Sequence, residues 1–363
     1  VLFLDHMFQN CFKLTSLDLS KFNTQNVTDM SYMFDKCESL VYLNVSNFNT
    51  KKVYDMTHMF SDLRKLSDLN ISNFDTRYVK NMPYMFYNCD SLTNLDVTSF
   101  NTEKVLNMAY MFYNCAKLQE INLDKFDATK VTDMSYMFYN CKSVENLTIT
   151  NFRTQNVINL SHMFYNCRKV GYLYPLQFDT KNVKDMSSMF ERCTTLFELN
   201  LTNFNTSQVT DMSYMFKECP NLYKLDVSSF NHENVVNMAR MFQNCENIST
   251  INVYSFNTKN VEDMSYMFQN CLKMRNLIIS DKFITNKVRK MYSMFQNCSL
   301  LGSLDASSFV TDNIDDLSFM FQNCKALKNL TIPNFKTGKV KNMAYMFYYC
   351  LSLNSLDLSS FDT

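Results

Sequence analysis

Met-Phe pairs set the frame of this chain. They occur at Met7-Phe8, Met33-Phe34, Met59-Phe60 and Met85-Phe86 and onward to Met346-Phe347, 26 residues apart except for one step of 27 that ends at Met294-Phe295. The extra residue falls in the segment Ile279 to Phe283. With position 1 at Val1, Val27, Val53 and so on to Val340, the unit is V-x-[DN]-M-S-[YH]-M-F-x-N-C-x-x-L-x-x-L-[DN]-L-S-x-F-x-T-x-x. A fixed period in this range marks a repeat architecture, so length stops being a guide to domain number. Residues 1–363 read as one solenoid domain of fourteen copies, the last of them incomplete at Thr363. With only three Gly and four Pro, no linker or internal boundary is expected.

The unit explains the unusual composition. Of 32 Phe, 28 lie at positions 8 and 22; of 26 Met, 25 lie at positions 4 and 7; all 13 Cys lie at position 11. About nine positions per copy are apolar and predicted to face inward, more than one copy can bury alone. Stacked copies bury them in a continuous core.

Two periodicities alternate within each copy. Apolar positions 4, 7, 8 and 11 form the i, i+3, i+4, i+7 stripe of a helical face. Asp or Asn at position 3 in twelve of fourteen copies is a natural N-cap, so short helices are expected to open at residues such as Met30, Met56 and Met82. Positions 17 and 19 are apolar with polar neighbours, as in Leu17-Asp18-Leu19 and Leu43-Asn44-Val45, the alternation of a strand. The expected class is an α/β repeat solenoid. Its parallel strands, stacked at about 4.8 Å, form a sheet edge roughly 60 Å long. Helices are about 10 Å wide, so their side splays into the convex face and leaves the sheet concave. Pro175, at strand position 19 of the seventh copy, predicts a local break, because proline cannot donate to a ladder. Lys290 in the twelfth copy and Phe3 in the first depart from the cap pattern.

The L-x-x-L-x-L segments resemble leucine-rich repeats. The fuller unit, with VTDMSYMF at 27–34 and LDLSSFDT at 356–363, resembles the BspA-like surface proteins, repeat proteins of bacteria that include mycoplasma-type lipoproteins, and of some protists. The resemblance covers the whole chain in register. It implies a leucine-rich-repeat-like fold and a cell-surface or secreted protein of adhesion or host interaction, and it names no ligand. No signal peptide is visible, since Val1 falls inside a repeat; any leader, lipidated cysteine or anchor belongs outside these residues. No apolar run approaches the roughly 18 residues of a spanning helix.

Residues that could carry chemistry are few. No C-x-x-C pair exists, and Leu63 replaces the cysteine of the third copy, so the thiols read as small core residues, with disulfides between neighbouring copies as the alternative. His6, His58 and His162 share position 6 with tyrosines and sit in non-adjacent copies, so they cannot converge on one metal; His232 replaces the usual Thr at position 24. Gly171, Gly302 and Gly338 are too far apart for a phosphate loop. No catalytic residue, cofactor site or metal site is expected, and the chain is read as a non-enzyme. The Thr ladder at position 24 predicts hydrogen bonds between successive coils; for Asp or Asn at position 18, coil-to-coil bonding and an exposed binding role both stand.

Charge is segregated although 35 basic and 35 acidic residues cancel, a balance that gives no argument for nucleic acid. Strand positions 16, 18 and 20 hold Asp18, Asp68, Asp96, Glu120, Asp124, Glu198, Asp226, Asp305 and Asp357 against one base, Lys224. Positions 25 and 26, with Lys51, Lys52, Arg77, Lys104 and Lys130, and positions 12 and 13 are basic. An acidic stripe can steer a charged protein partner; it can equally serve solubility alone. Tyr84, Tyr110 and Tyr136 at position 6, with Tyr87, Tyr113, Tyr139 and Tyr165 at position 9, form a second candidate surface, either for binding or for ring packing alone. N-x-[ST] sequons at Asn44, Asn70 and Asn200 would place glycans on the strand face in a eukaryotic secretory pathway. The function expected is binding of a protein partner, host or extracellular matrix, at the cell surface. Self-assembly into a homo-oligomer or filament through uncapped ends is the alternative.

Overall fold

The structure, a computed structural model, describes residues 1–149, 152–173 and 176–362. They divide into two compact units, Val1–Val183 and Lys184–Thr363. The division falls at the start of the eighth copy, so each unit holds seven copies of the repeat. Each unit is a β-solenoid in which every copy forms one coil and equivalent residues of successive coils meet in parallel.

In the first unit β1 (Ser16–Asp18) pairs with β2 (Tyr42–Asn44), and β3 (Glu120–Asn122) with β4 (Asn146–Thr148). In the second, β5 (Glu198–Asn200) pairs with β6 (Lys224–Asp226), β7 (Thr250–Asn252) with β8 (Asn276–Ile278), and β9 (Ser303–Asp305) with β10 (Asn329–Thr331). All five pairs are parallel, and the register sets Leu17 beside Leu43 and Leu199 beside Leu225. The long sheet expected from the sequence is absent among the described residues: the strands are three residues each and close only in pairs. Turns on either side crop them. In the second copy the Leu40 amide donates to the Cys37 carbonyl and the Phe48 amide to the Val45 carbonyl, both at 3.0 Å.

The expected short helices are also absent among the described residues. Positions 4 to 11 instead form successive tight turns. In the second copy Met33, Asp35 and Cys37 donate their amides back to Met30, Tyr32 and Phe34, while Tyr32, Phe34 and Lys36 donate forward to Thr57, Met59 and Ser61 of the next coil. Positive φ at positions 6 and 10 produces this alternation, as at Tyr32 (56°) and Lys36 (61°), and it recurs at these two positions in every copy. A left-handed residue interrupts the helical ladder and turns the following amides along the stack. Turns and a helix present the same inward stripe, which is why periodicity alone pointed to a helix: Met30, Met33, Phe34 and Cys37 are all fully buried. Without helices, the splay argued from helix width does not apply.

The position-3 residues do cap, but they cap a turn. The Asp29 carboxylate accepts the Ser31 amide at 2.9 Å, and Asp133 and Asp211 do the same for Ser135 and Ser213. Their backbones also form a parallel ladder. It runs from Phe3 through Asp29, Asp55, Asn81, Asn107 and Asp133 to Asn159 in the first unit, and from Asp185 through Asp211, Asn237 and Asp263 to Lys290 in the second, resuming between Asp316 and Asn342. The break expected at Pro175 lies outside the described residues.

Side-chain ladders bind the coils laterally. Position-8 rings stack from Phe8 to Phe164 and from Phe190 to Phe347 at centroid spacings of 5.4–5.8 Å. The Thr24 hydroxyl donates to the Asn49 carbonyl and accepts the Asn49 amide, and Thr50, Thr76 and Thr102 repeat the bridge, as the Thr ladder predicts. The cysteines are free thiols, not disulfides. The Sγ atoms of Cys37, Cys89, Cys141 and Cys245 each reach a position-8 carbonyl of the preceding coil, for example Cys141 to Phe112 at 3.1 Å. Burial pushes the thiols of Cys37, Cys141 and Cys245 up to about 12. A thiol that stays protonated and enclosed is a poor nucleophile. Alkylation of the native chain is therefore expected to mark Cys11 and Cys350, which are half-buried, and to spare the other eleven. Mass mapping that finds Cys141 or Cys245 modified before unfolding would contradict this packing.

His232 breaks the Thr ladder. It is fully buried, neither ring nitrogen has a hydrogen-bond partner, and the ring lies 3.6 Å from the centroid of Phe256. Burial lowers its pKa to about 3 from an ordinary 6.5. Because the folded pKa is depressed, the unfolded chain gains the proton first, and stability is lost as pH falls from 6.5 toward 3. His232→Thr is expected to stabilise the second unit by about 1–3 kcal/mol at neutral pH by restoring the bridge. The variant should also remove about 2 kcal/mol of acid sensitivity between neutrality and about pH 5. Urea melts of both proteins at the two pH values measure this, and equal pH dependence would refute the assignment.

Candidate functional site

The acidic residues sit where the strand alternation places them, on the outward side of the coils. Asp18, Asp68, Asp96, Glu120, Asp226, Asp305 and Asp357 are exposed, and Asp124 and Glu198 are half-buried. Asp18, Glu120, Glu198, Asp226 and Asp305 lie within β1, β3, β5, β6 and β9, while Asp68, Asp96, Asp124 and Asp357 occupy turn or extended segments outside assigned strands. Position 18 is used chiefly locally, although the Asn44 side chain of the next coil also hydrogen-bonds Asp18. Asp18, Asp96, Asp226, Asp305 and Asp357 each accept the amide two residues on, at 2.8–3.0 Å. One carboxylate oxygen is thus committed to the backbone.

That hydrogen bonding sets the charge. The Ser20 amide holds Asp18 below the ordinary carboxylate range, the Thr98 hydroxyl and amide do so for Asp96, and the Ser359 amide for Asp357. Glu198 is lowered by the Tyr223 hydroxyl at 2.8 Å and then by Lys224 at 3.1 Å, so the one strand-face base neutralises an acid of the same face. The acids do not form an unbroken stripe. Their densest group is in the first unit, where Asp96 and Glu120 line a groove of about 380 Å³ with Asn94, Asn122 and Asn146.

The tyrosines come together as two adjoining stacks in the first unit. At position 6, His58, Tyr84, Tyr110, Tyr136 and His162 lie face to face at 4.4–4.6 Å. At position 9, Tyr87, Tyr113, Tyr139 and Tyr165 stack at 4.3–4.7 Å, and tilted contacts such as Tyr110–Tyr113 at 5.7 Å join the two columns. All seven tyrosines are half-buried. Ring faces are used on one another, and neighbouring hydroxyls bond along the columns, Tyr84 with Tyr110 and Tyr113 with Tyr139. Burial, then the neighbouring phenols, pushes Tyr110 up to about 12, and Tyr84, Tyr113 and Tyr139 move the same way. In the second unit Arg240 takes the position-6 place, with its guanidinium 5.4 Å from the Tyr214 ring and 4.5 Å from that of Tyr266. A planar cation substitutes for a ring there.

Sequence reasoning missed two elements that organise these surfaces. Position 10, directly before the cysteine, is left-handed, and its asparagines bond from coil to coil, as Asn166 does to Asn140 and Asn323 to Asn297. The signal was present, since Asn tolerates this conformation better than most residues. The other is a basic groove in copies eleven to fourteen; Lys287 and Lys339 belong to the basic position 26 of the repeat, but their meeting with Arg289 and Lys341 at position 2 was not foreseen. No group of three or more His, Cys, Asp or Glu that could hold a metal occurs among the described residues, and no helix there is long and apolar enough to cross a membrane.

Parallel coils one repeat long, joined by side-chain ladders, place the molecule among β-solenoid repeat scaffolds. The chain belongs to the family described as Mycoplasma protein of unknown function, DUF285, which matches residues 3–120, 65–174, 89–196, 175–282 and 289–363. No curated protein matches it. Among solved structures it is similar to a leucine-rich repeat protein from Bacteroides ovatus, at 16% identity, covering 91% of this chain and 87% of that one, with a TM-score of 0.43. It is similar to a leucine rich cell surface protein from Faecalibacterium prausnitzii at 17% identity, 98% and 83% coverage and a TM-score of 0.42. A leucine-rich repeat protein from Eubacterium ventriosum follows at 14% identity, 93% and 78% coverage and a TM-score of 0.44.

Tyr110 tests the stacks. It has a ring on each face and φ of 60°. Tyr110→Ala is expected to destabilise the first unit by about 2 kcal/mol, two lost ring pairs at roughly 1 kcal/mol each. Tyr110→Gly should be the more stable of the two variants, reversing the usual order, because glycine carries no penalty at positive φ. Denaturant midpoints for the pair decide the matter, and an alanine variant above the glycine variant would count against the assigned backbone.

Proposed function

We propose that the chain is a non-enzymatic binding module, displayed at the cell surface or secreted, whose fourteen copies act as one continuous solenoid domain. In this reading it engages a protein partner, host or extracellular matrix, through the outward strand positions of the first unit. The observation that carries the reading is the pairing of Asp96 and Glu120 in an outward groove whose remaining polar lining is asparagine and threonine, with Asp96 held ionised by Thr98. A preformed anionic groove costs little ordering on binding and speeds encounter with a basic partner. Membership in a repeat family and the resemblance to surface repeat proteins support the location. The half-buried tyrosine columns of the first unit are a second surface of the same module.

The test is surface-plasmon measurement against a panel of immobilised extracellular-matrix proteins, with lysozyme as a basic control. The native chain is expected to bind at least one matrix protein with an on-rate that falls as salt rises. Replacing both Asp96→Asn and Glu120→Gln should weaken that interaction about tenfold, mainly through the on-rate. If the double variant binds with unchanged rates while Tyr113→Ala with Tyr139→Ala abolishes binding, the tyrosine columns and not the acids are the surface.

A further inference from the structure

The position-3 ladder of the second unit is interrupted between Lys290 and Asp316. The extra residue lies in the eleventh copy, just before the coil of Lys290, and Lys290 stands where the pattern has Asp or Asn. A lysine cannot accept the Asx-turn amide; its ammonium instead pairs with Asp263 at 3.2 Å. The Arg289 amide donates to Glu262 at 2.8 Å and the Lys341 amide to Asp315 at 2.7 Å, while the equivalent backbone bond from Asp315 to Arg289 is absent. Where the coils lose this bond, a groove of about 1140 Å³ opens.

Four exposed cations border it: Lys287, Arg289, Lys339 and Lys341. None forms an ion pair, although Lys287 donates to the Asn260 amide oxygen at 2.6 Å. Glu262 and Asp315 also line the groove, leaving cations in excess, and Asn286 and Asn313 add amides. Lys287 and Lys339 lie two copies apart, as do Arg289 and Lys341, which is about 10 Å at the parallel-strand spacing.

We propose that this groove binds a sulfated polysaccharide. Regularly spaced oxyanions on an extended chain can each meet a cation, the arginine fork taking one in bidentate fashion. The asparagine amides suit the hydroxyls between them. A nucleic acid is disfavoured because no aromatic ring lines the groove to stack a base. An acidic peptide is disfavoured because the apolar lining is confined to Ile314, which is buried, and Val340, so side-chain pockets are lacking. The proposal concerns other positions of the repeat than the acidic groove and stands independently of it.

The test is isothermal titration of the chain with a heparin hexasaccharide at low and physiological salt. Fully desulfated heparin, an oligothymidylate and polyglutamate serve as comparisons. Heparin is expected to bind, more weakly as salt rises. Replacing Lys339→Ala with Lys341→Ala, or Arg289→Ala alone, should weaken binding about tenfold or more, the worth of one hydrogen bond to a charged group. Lys51→Ala with Lys52→Ala, on a basic stripe of the first unit, should leave it unchanged. Absence of heparin binding at low salt overturns the proposal. So does equal binding of the desulfated chain, tighter binding of oligothymidylate or polyglutamate, or an equal loss in the first-unit control.

Discussion

The direction in which each amide points governs this molecule. A residue at positive φ at positions 6 and 10 of every coil sends alternate N–H groups along the stack and returns the others to local turns. A run of amides that would close on itself in a helix becomes a set of bonds between coils. The cost is considerable, about 1–2 kcal/mol for each left-handed residue that is not glycine. None of these positions is glycine. The stacked rings at position 6 and the amide ladder at position 10 are the compensating interactions, which explains why those two sites carry aromatic side chains and asparagine so often.

Much of this was legible in the sequence, and the rest was hidden for a definable reason. The period, the inward positions, the parallel register, the Thr bridges and the buried thiols all followed from side chains that recur at one place in the unit. The conformation of positions 4 to 11 did not follow. Tight turns of three-residue step and an α-helix of 3.6-residue step bury the same four residues over so short a span, so Met30, Met33, Phe34 and Cys37 could not separate them. The Asp and Asn residues misled in the same way, because an oxygen accepting an amide two residues ahead serves a turn as well as a helix start. For the candidate surfaces, the outward placement of Asp96 and Glu120 and the convergence of the tyrosines were readable. The neutralisation of Glu198 by Lys224, and the groove beside Lys290, depend on spatial relations that a position count does not contain.

Core and surface are separated in this design with unusual completeness. Positions 4, 7, 8, 11 and 22 repeat almost without variation, and the outward ones carry acids in one copy, amides in another and tyrosines or lysines in a third. Different stretches of the same scaffold consequently offer different chemistries: an amide-lined acidic groove near Asp96, stacked phenols around Tyr110, and a cationic groove near Arg289.

The forward amide bonds have a genetic consequence. Each coil is held by the ones beside it through the same set of partners, so a coil's surroundings are specified by its neighbours and not by its place in the chain. A gene of this kind can lose or duplicate a 26-residue cassette by unequal exchange and still encode coils whose interiors match. Such an event slides one surface feature past another by a single step of about 4.8 Å. The spacing between features is then a quantity that recombination can tune while the interior stays as it was.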